Sequence, residues 1–314
     1  MRAVVSRPPG APPSVVEVPV PRPGPGQVRI RVAAAAINPV DVATQQGNIG
    51  RTRPGAIGPG EQVGLGWDVA GTVEETGGGA IGVAVGDVVI GLRDRLDVAA
   101  GTFAEHVVLD AGDVAVAPPG VDLPAASTIP LNGLTTVQAL DELGRLGLRS
   151  GDTILVTGAA GGLGGFGVEL AALRGFRVIG AAGEADAAAV RAFGAAEFVP
   201  RSAASLADAV RALVPGGVDA VFDAAVLGFP AMDAVRRRGV YVNFAPVTLL
   251  TVRGIQELPI HIHADGSALS GLSRLASRGL LTTRVADTYP LEQAAVAFER
   301  LAKGGLRGRL VLMA

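Results

Sequence analysis

The alternation of apolar and polar positions divides the chain into three stretches. Up to about residue 120, short apolar runs of strand length (15–20, 27–32, 71–75, 87–92 and 103–109) are bounded by proline and glycine clusters. Pro21, Pro23 and Pro25 make a rigid, non-helical connection. One helix interrupts the strands at Asn38-Pro-Val-Asp41: Asn38 suits an N-cap, Pro39 the first helical position, and Asp41 complements the helix dipole. Such a β-rich block predicts a domain of its own. From 123 to 143 the period is helical, and from 151 strand and helix alternate. Strands are expected at 153–157, 177–181, 197–200, 220–223 and 240–244, and helices at 166–174, 185–193, 205–213 and 230–237. That order implies a parallel sheet with helices on both faces. Beyond 260, helices at 267–277 and 291–301 flank a short run at 284–287, and the apolar strand 309–312 ends the pattern. The alanine run 33–36 reads as compositional bias, and no internal repeat is present.

The strand at 153–157 leads into five glycines between Gly158 and Gly165, and a helix follows. Strand, glycine turn and helix together form a cradle for a dinucleotide pyrophosphate, because glycines admit backbone N–H groups to the phosphates and the helix N-terminus is partially positive. A literal G-x-G-x-x-G at Gly162, Gly164 and Gly167 starts several residues after the expected strand end. The register Ala159-x-Gly161-x-x-Gly164 follows directly on the strand and is preferred, since the turn must begin where the strand stops. In a chain with 45 glycines, a bare tight turn is the competing reading.

Composition narrows the classes. Of the 314 residues, 49% are hydrophobic and 18% charged, so a sizeable core is available. A net charge of −2 gives no footprint for nucleic acid. The absence of cysteine excludes disulfides, thiol nucleophiles and thiolate zinc sites. The opening MRAVVSRPPG is unlike a signal peptide, and no uninterrupted apolar stretch reaches membrane-span length, so a cytoplasmic protein with no membrane partner is expected.

Five stretches, in order and spacing, carry a resemblance: AAAAINPVDVATQQG at 33–47, GWDVAGTVEETG at 66–77, PLNGLTTVQAL at 130–140, ILVTGAAGGLG at 154–164 and YPLEQAAVAFERLAKGGLRGRLVL at 289–312. Together they resemble the zinc-independent quinone oxidoreductase and enoyl reductase branch of the medium-chain dehydrogenase/reductase superfamily. The resemblance implies an α/β fold. A Rossmann doubly wound parallel sheet (123–262) would be inserted in a GroES-like, mainly-β catalytic domain formed by 1–122 and 263–314, with the active site in the cleft. Zinc-dependent relatives bind zinc through Cys, His and Cys; the matching positions here are Asn38, Trp67 and Asn132, none a plausible zinc ligand. His106, His261 and His263 are the only histidines, and no third ligand accompanies the pair 261 and 263. No zinc is expected.

The chemistry implied is hydride addition to the β-carbon of an enone or quinone, with hydrogen-bond donors for the charge developing on oxygen. The resemblance places Asn38, Asn132 and Thr136 as donors to substrate or nicotinamide, and Trp67 as a surface on which a small, apolar or planar carbonyl or quinone substrate could stack. Each has a plainer alternative: an N-cap for Asn38, a self-bonded helix residue for Thr136, a core residue for Trp67 and a purely structural role for Asn132. Some relatives carry a Tyr in the loop after the N-P-x-D helix; here that loop, 44–48, has none, leaving protonation to solvent or a cofactor hydroxyl. The cofactor contacts implied are Thr136, the turn Gly158, Ala159, Ala160, Gly161, Gly162, Leu163 and Gly164, then Gly183, Arg201, Asp223, Ala224, Ala225, Asn243, Phe244 and Ala245.

The end of the second strand of the unit, 180–183, carries no acid for the ribose hydroxyls, which leaves room for a 2′-phosphate. Arg201 is the basic group placed to meet it, although Glu184 and Asp186 stand nearby. NADPH is therefore expected, with NADH as the alternative. The rival readings are a pathway-specific tailoring enoyl reductase of secondary metabolism, a nicotinamide-binding protein with a regulatory role, and a non-redox enzyme on the same fold. A homodimer is expected from the resemblance, joined along 241–252 as a sheet edge.

Overall fold

The computed structural model describes residues 1–48, 62–95, 100–245 and 252–314. The chain forms two compact units: residues 1–134, 262–279 and 283–314 make the first, and 135–261 with 280–282 the second. In chain order the first unit contains β1 (Arg2–Ser6), β2 (Pro13–Glu17), β3 (Gln27–Ile37), α1 (Pro39–Gln45), β4 (Val63–Gly64), β5 (Asp68–Thr76), β6 (Val88–Leu92), β7 (His106–Asp110), β8 (Val114–Val116) and α2 (Leu123–Ala126). Helix α3 (Pro130–Arg145) begins in this unit and continues in the second. The second unit runs through β9 (Thr153–Thr157), α4 (Gly162–Leu173), β10 (Arg177–Ala182), α5 (Ala187–Ala192), β11 (Glu197–Pro200), α6 (Leu206–Leu213), β12 (Val218–Asp223), α7 (Phe229–Met232), β13 (Val235–Asn243) and β14 (Gln256–Pro259). The first unit is then completed by α8 (Gly266–Ser277), β15 (Val285–Pro290), α9 (Ala294–Ala302) and β16 (Arg309–Met313).

Within the first unit, β3 is the axis. It pairs antiparallel with β5, β7 and β16, in a sheet ordered β15-β16-β3-β5-β6-β8, while β2-β1-β4 form a small second sheet. The alanine run at 33–36 lies in the second half of this strand, with Ala34 to Ala36 fully or almost fully buried, so what reads as bias is a strand with little room beside it. Ile30, Ile37, Leu65, Phe103, Phe298 and Leu310 fill the core, with Phe103 and Phe298 edge to face at 6.3 Å. Strand β1, absent from the periodicity reading, pairs with β2 over its whole length. The short β4 and β8 are likewise legible only in their partners.

The second unit is a six-stranded parallel sheet among the described residues, ordered β11-β10-β9-β12-β13-β14. Strand order reverses between β9 and β12, and the crevice beyond the carboxyl ends of those two strands is where such sheets take a dinucleotide. Two expectations change here. The helix expected at 230–237 stops at Met232, and β13 already begins at Val235; Arg236 to Arg238 are exposed in an irregular stretch of that strand, with Arg238 at φ 61°. The expected sheet edge 241–252 is also displaced. Tyr241 to Asn243 pair with β14, the terminal strand among the described residues, and 246–251 lie outside those residues. The helical stretch 123–143 is two helices, because Pro130 cannot continue the first and opens the second. No helix among the described residues is long and apolar enough to cross a membrane.

Gly71 shows how tightly the first unit is built: a Cβ there would sit 2.1 Å from the Arg31 carbonyl oxygen of β3. Gly71→Ala is expected to cost about 1–3 kcal/mol through overpacking, read as a lower urea midpoint with an unchanged slope.

Candidate functional site

The strongest cluster of polar side chains in the first unit forms around the N-P-x-D segment. Asn38 is extended at φ −123° and ψ 160°, Pro39 opens α1, and the Asp41 carboxylate accepts from the Asn38 backbone N–H at 2.7 Å. The motif is thus a helix start whose acid caps the turn, which fixes where the Asn38 side chain leaves the backbone. Asn38 Nδ2 donates to Asp68 Oδ2 at 2.7 Å and to the Ala36 carbonyl at 3.3 Å. Asp68 Oδ1 accepts from the Leu131 N–H at 2.6 Å, at the start of α3. One turn into that helix, Asn132 Nδ2 donates to the Thr128 carbonyl at 3.1 Å and, longer, to Asn38 Oδ1 at 3.5 Å. The Arg309 guanidinium donates to Asn132 Oδ1. Asn38, Asp41 and Asp68 are fully buried and Asn132 nearly so.

The structure therefore brings Asn38 and Asn132 together and adds two members that the sequence did not single out: Asp68 and Arg309. The signals were there. Asp68 is an acid inside a buried apolar strand, and Arg309 opens the apolar strand at 309–312. Two carboxylates share one cation here. Burial raises the Asp68 carboxyl to about 7, opposed by the Asn38 and Leu131 hydrogen bonds and by Arg309. Burial likewise pushes Asp41 well above the usual carboxylate range. Arg309, desolvated itself, falls to about 10 despite both acids. Trp67 is 1% exposed and its indole N–H donates to Thr44 Oγ1 at 3.2 Å, so the indole is packed against α1. The amide hydrogens of Asn38 are committed within the unit; a substrate oxygen would have to compete for those of Asn132. Among the described residues no three His, Asp or Glu side chains are disposed to hold a metal ion.

In the second unit β9 ends at Thr157 and α4 begins at Gly162, so the turn 158–161 starts where the strand stops. The literal G-x-G-x-x-G lies within the helix. Gly158 is at φ 59°, and Gly161 is the N-cap with no side-chain cap on the helix. A Cβ at Gly164 would come within 2.1 Å of the Gly158 carbonyl oxygen, so the first turn of α4 and the glycine turn touch. Ala159 is buried, and Ala160, Gly162 and Leu163 are partly exposed. A helix start with no side-chain cap, a left-handed glycine and a turn of small residues at the reversal of strand order fit a pyrophosphate.

The remaining expected contacts flank this turn. Gly183 follows β10, and Arg201 follows β11; a Cβ at Gly183 would lie 4.0 Å from Arg201 Nε and 3.1 Å from Asp186 Oδ2. Arg201 is exposed, with its N–H on the Ala182 carbonyl at 2.7 Å. Ala224 and Ala225 leave the end of β12, whereas the Asp223 carboxylate is wholly buried in bonds to the unit itself. Asn243 closes β13, bonded to Glu257 at 2.7 Å and to the Ala245 N–H at 2.8 Å, and Phe244 packs on Phe222 at 4.5 Å. Thr136 is buried, four residues beyond Asn132 in α3.

Removing the cation from the first cluster leaves two buried carboxylates without it, so Arg309→Met is expected to cost about 3 kcal/mol near neutral pH. The raised carboxyls set the sign of the pH dependence. Asp68 binds a proton in the folded protein that the unfolded chain releases between about pH 4 and 7. Its contribution to stability is complete at acidic pH and is lost as pH rises through about 7. Arg309 moderates that loss, so the stability of Arg309→Met should fall more steeply than wild type between pH 5 and 8, measured by denaturation across that range.

Comparisons with known proteins agree with this architecture. Residues 24–119 match the alcohol dehydrogenase GroES-like domain, and residues 193–312 match the zinc-binding dehydrogenase family. A quinone oxidoreductase of Pseudomonas aeruginosa is 30% identical over 279 residues, covering 81% of this chain and 83% of the relative. The spectinabilin polyketide synthase system protein NorB of Streptomyces orinoci is 31% identical over 80% of this chain, yet the chain spans only 12% of its length. It spans half of a probable quinone oxidoreductase of Leishmania amazonensis, at 36% identity over 180 residues. Among solved structures, an NAD-dependent alcohol dehydrogenase superposes with a TM-score of 0.85 at 31% identity, covering both chains completely. The parallel sheet with its glycine turn, the mainly-β unit around β3 and these likenesses converge: the chain belongs to the medium-chain dehydrogenase/reductase superfamily, among the quinone oxidoreductases.

Proposed function

We propose that this protein is an NADPH-dependent, zinc-independent reductase of quinones or of the C=C bond in α,β-unsaturated carbonyls. The observation that carries the reading is the network in which Asn38 and Asn132, at two of the positions that the resemblance matches to zinc ligands, meet and Arg309 bonds to Asn132. An amide network offers hydrogen bonds and a positive field rather than a Lewis acid, and that suits charge developing on a conjugated carbonyl oxygen.

When bound, the reduced nicotinamide supplies the hydride. The protein's part is to hold donors where the oxygen becomes negative. Asn132 Nδ2 is the natural donor. Its bond to Asn38 Oδ1 is long at 3.5 Å, so that hydrogen exchanges partners at little cost. Arg309 on the carbonyl oxygen of the same amide polarises it and strengthens its N–H groups. Asn38, held between Asp68 and Ala36, fixes the other end of the network. With no Tyr in the loop after α1, solvent protonates the α-carbon.

Preference for NADPH rests on Gly183 and Arg201: the strand tip itself bears no side chain and an exposed guanidinium stands beside it, although the Asp186 carboxylate lies closer to the same point. The solved alcohol dehydrogenase is named for NAD, so the two cofactors are to be compared directly. A second reading, reduction of one pathway intermediate, is favoured by the likeness to NorB over 80% of this chain.

Consumption of NADPH or NADH should be followed by absorbance with benzoquinone, naphthoquinone, cyclohexenone and an enal. Turnover of some member, and a loss of about a hundredfold in kcat/KM in Asn132→Ala, is expected; a silent panel with intact dinucleotide binding would point to a binding protein. Strong preference for a bulky acyl enone would favour the pathway reading. Arg201→Ala should weaken NADPH about tenfold, on the order of 1.4 kcal/mol, and leave NADH unchanged. Unaltered NADPH affinity would remove the phosphate contact.

A further inference from the structure

Behind the glycine turn lies a buried carboxylate that the proposed chemistry does not use. Asp223, the last residue of β12, is 0% exposed. Its Oδ1 accepts from the Thr157 hydroxyl at 2.5 Å; its Oδ2 accepts from the Tyr241 hydroxyl at 2.5 Å and from the Gly228 N–H at 2.9 Å. Thr157 Oγ1 accepts in turn from the Ala225 N–H at 3.0 Å. Thr157 and Asp223 are register partners at the carboxyl ends of β9 and β12, and Tyr241 reaches across from β13. Burial and the neighbouring carboxylate push the Tyr241 phenol up, so it stays a donor.

This chain of bonds holds a loop that is not at rest. Val226 sits at φ 54°, a conformation that β-branched residues avoid, and Gly228 at φ 70°. Val226, Leu227 and Phe229 are all exposed, so no packing of their side chains explains the strain. What restrains the backbone is Asp223: its carbonyl accepts the Val226 N–H at 3.0 Å and its carboxylate the Gly228 N–H. The loop also meets the glycine turn, since a Cβ on Gly158 would lie 3.3 Å from Ala225.

We infer that Asp223 is a positioning residue that acts through Thr157 and Gly228 to hold the turn 158–161 and the strained loop 224–228 as one preformed wall for the half of the dinucleotide beyond the pyrophosphate, without touching the dinucleotide itself. The inference rests on the dinucleotide reading of the crevice. Strand order supplies the polarity: β10 and β11, with Gly183 and Arg201, lie on one side of β9, and β12 and β13 lie on the other. A dinucleotide spans both halves of such a sheet, its adenosine half at the end of the second strand of the unit. Loosening the Asp223 lock should therefore affect the whole dinucleotide and spare an adenosine-half fragment.

The test titrates NADPH, NADH, and their adenosine-half fragments adenosine 2′,5′-bisphosphate and AMP calorimetrically against wild type, Thr157→Val and Tyr241→Phe, with hydrogen exchange on the unliganded proteins. Thr157→Val should weaken the better dinucleotide about tenfold, leave the corresponding fragment within about twofold, and speed exchange at 224–228 while the strands keep their protection. Tyr241→Phe, which leaves Asp223 two of its partners, should do the same to a lesser degree. Equal weakening of dinucleotide and fragment together with a lower Tm would reduce Asp223 to a general structural role and overturn the inference, as would unchanged affinities. A wild type that binds neither dinucleotide overturns the crevice reading and this role with it, and is told apart by protection at 224–228 that remains normal and still depends on Thr157.

Discussion

Two carboxylates cannot be buried side by side in an apolar unit unless something compensates them, and much of the first unit is arranged around that constraint. Asp41 and Asp68 are fully buried, and the groups that face them come from three separate elements: Asn38 ahead of α1, Leu131 in α3, and Arg309 on β16, which in turn holds Asn132. Those elements are far apart in sequence and meet through β3, which pairs with β16 and carries the chain directly into Asn38. A network of this kind fixes the orientation of both amides. The carbonyl oxygen of Asn132 faces a cation, so its N–H groups are turned the other way and strengthened as donors.

The second unit meets a related constraint with a different solution. A parallel sheet presents the ends of its strands to a crevice, and loops leaving those ends need restraint if they are to receive a ligand without reordering. At the end of β9 the restraint is close packing, because Gly164 lets α4 touch the turn. At the end of β12 it is the buried Asp223, which takes three hydrogen bonds and keeps Val226 in a conformation it would otherwise leave. Both solutions put cost into the unliganded protein and remove it from binding.

Much of the second unit was legible from residue order alone, since fully buried parallel strands are short apolar runs and glycine turns punctuate them. The turn register could be chosen from the principle that a turn starts where a strand stops, and the structure has β9 ending at Thr157. Reading failed where local pattern and pairing disagree. The three arginines Arg236 to Arg238 look unlike a strand, yet they belong to β13 because Val235 pairs with β12 before them and Val240 to Val242 are held between β12 and β14 after them. Strand β14 itself, QELP, has no periodicity to read.

The sequence by itself determined the fold class, the place of the glycine turn and the helix start at Asn38-Pro-Val-Asp41, because each of these is written in local spacing and side-chain identity. Only the tertiary structure decided which polar groups face one another. It paired Asp68 with Asn38 across 30 residues, Arg309 with Asn132 across 177, and Thr157 with Asp223 across 66. The physical reason is that a buried charge carries no local signature: its partner is whatever the sheet pairing and the strand ends bring within hydrogen-bond reach.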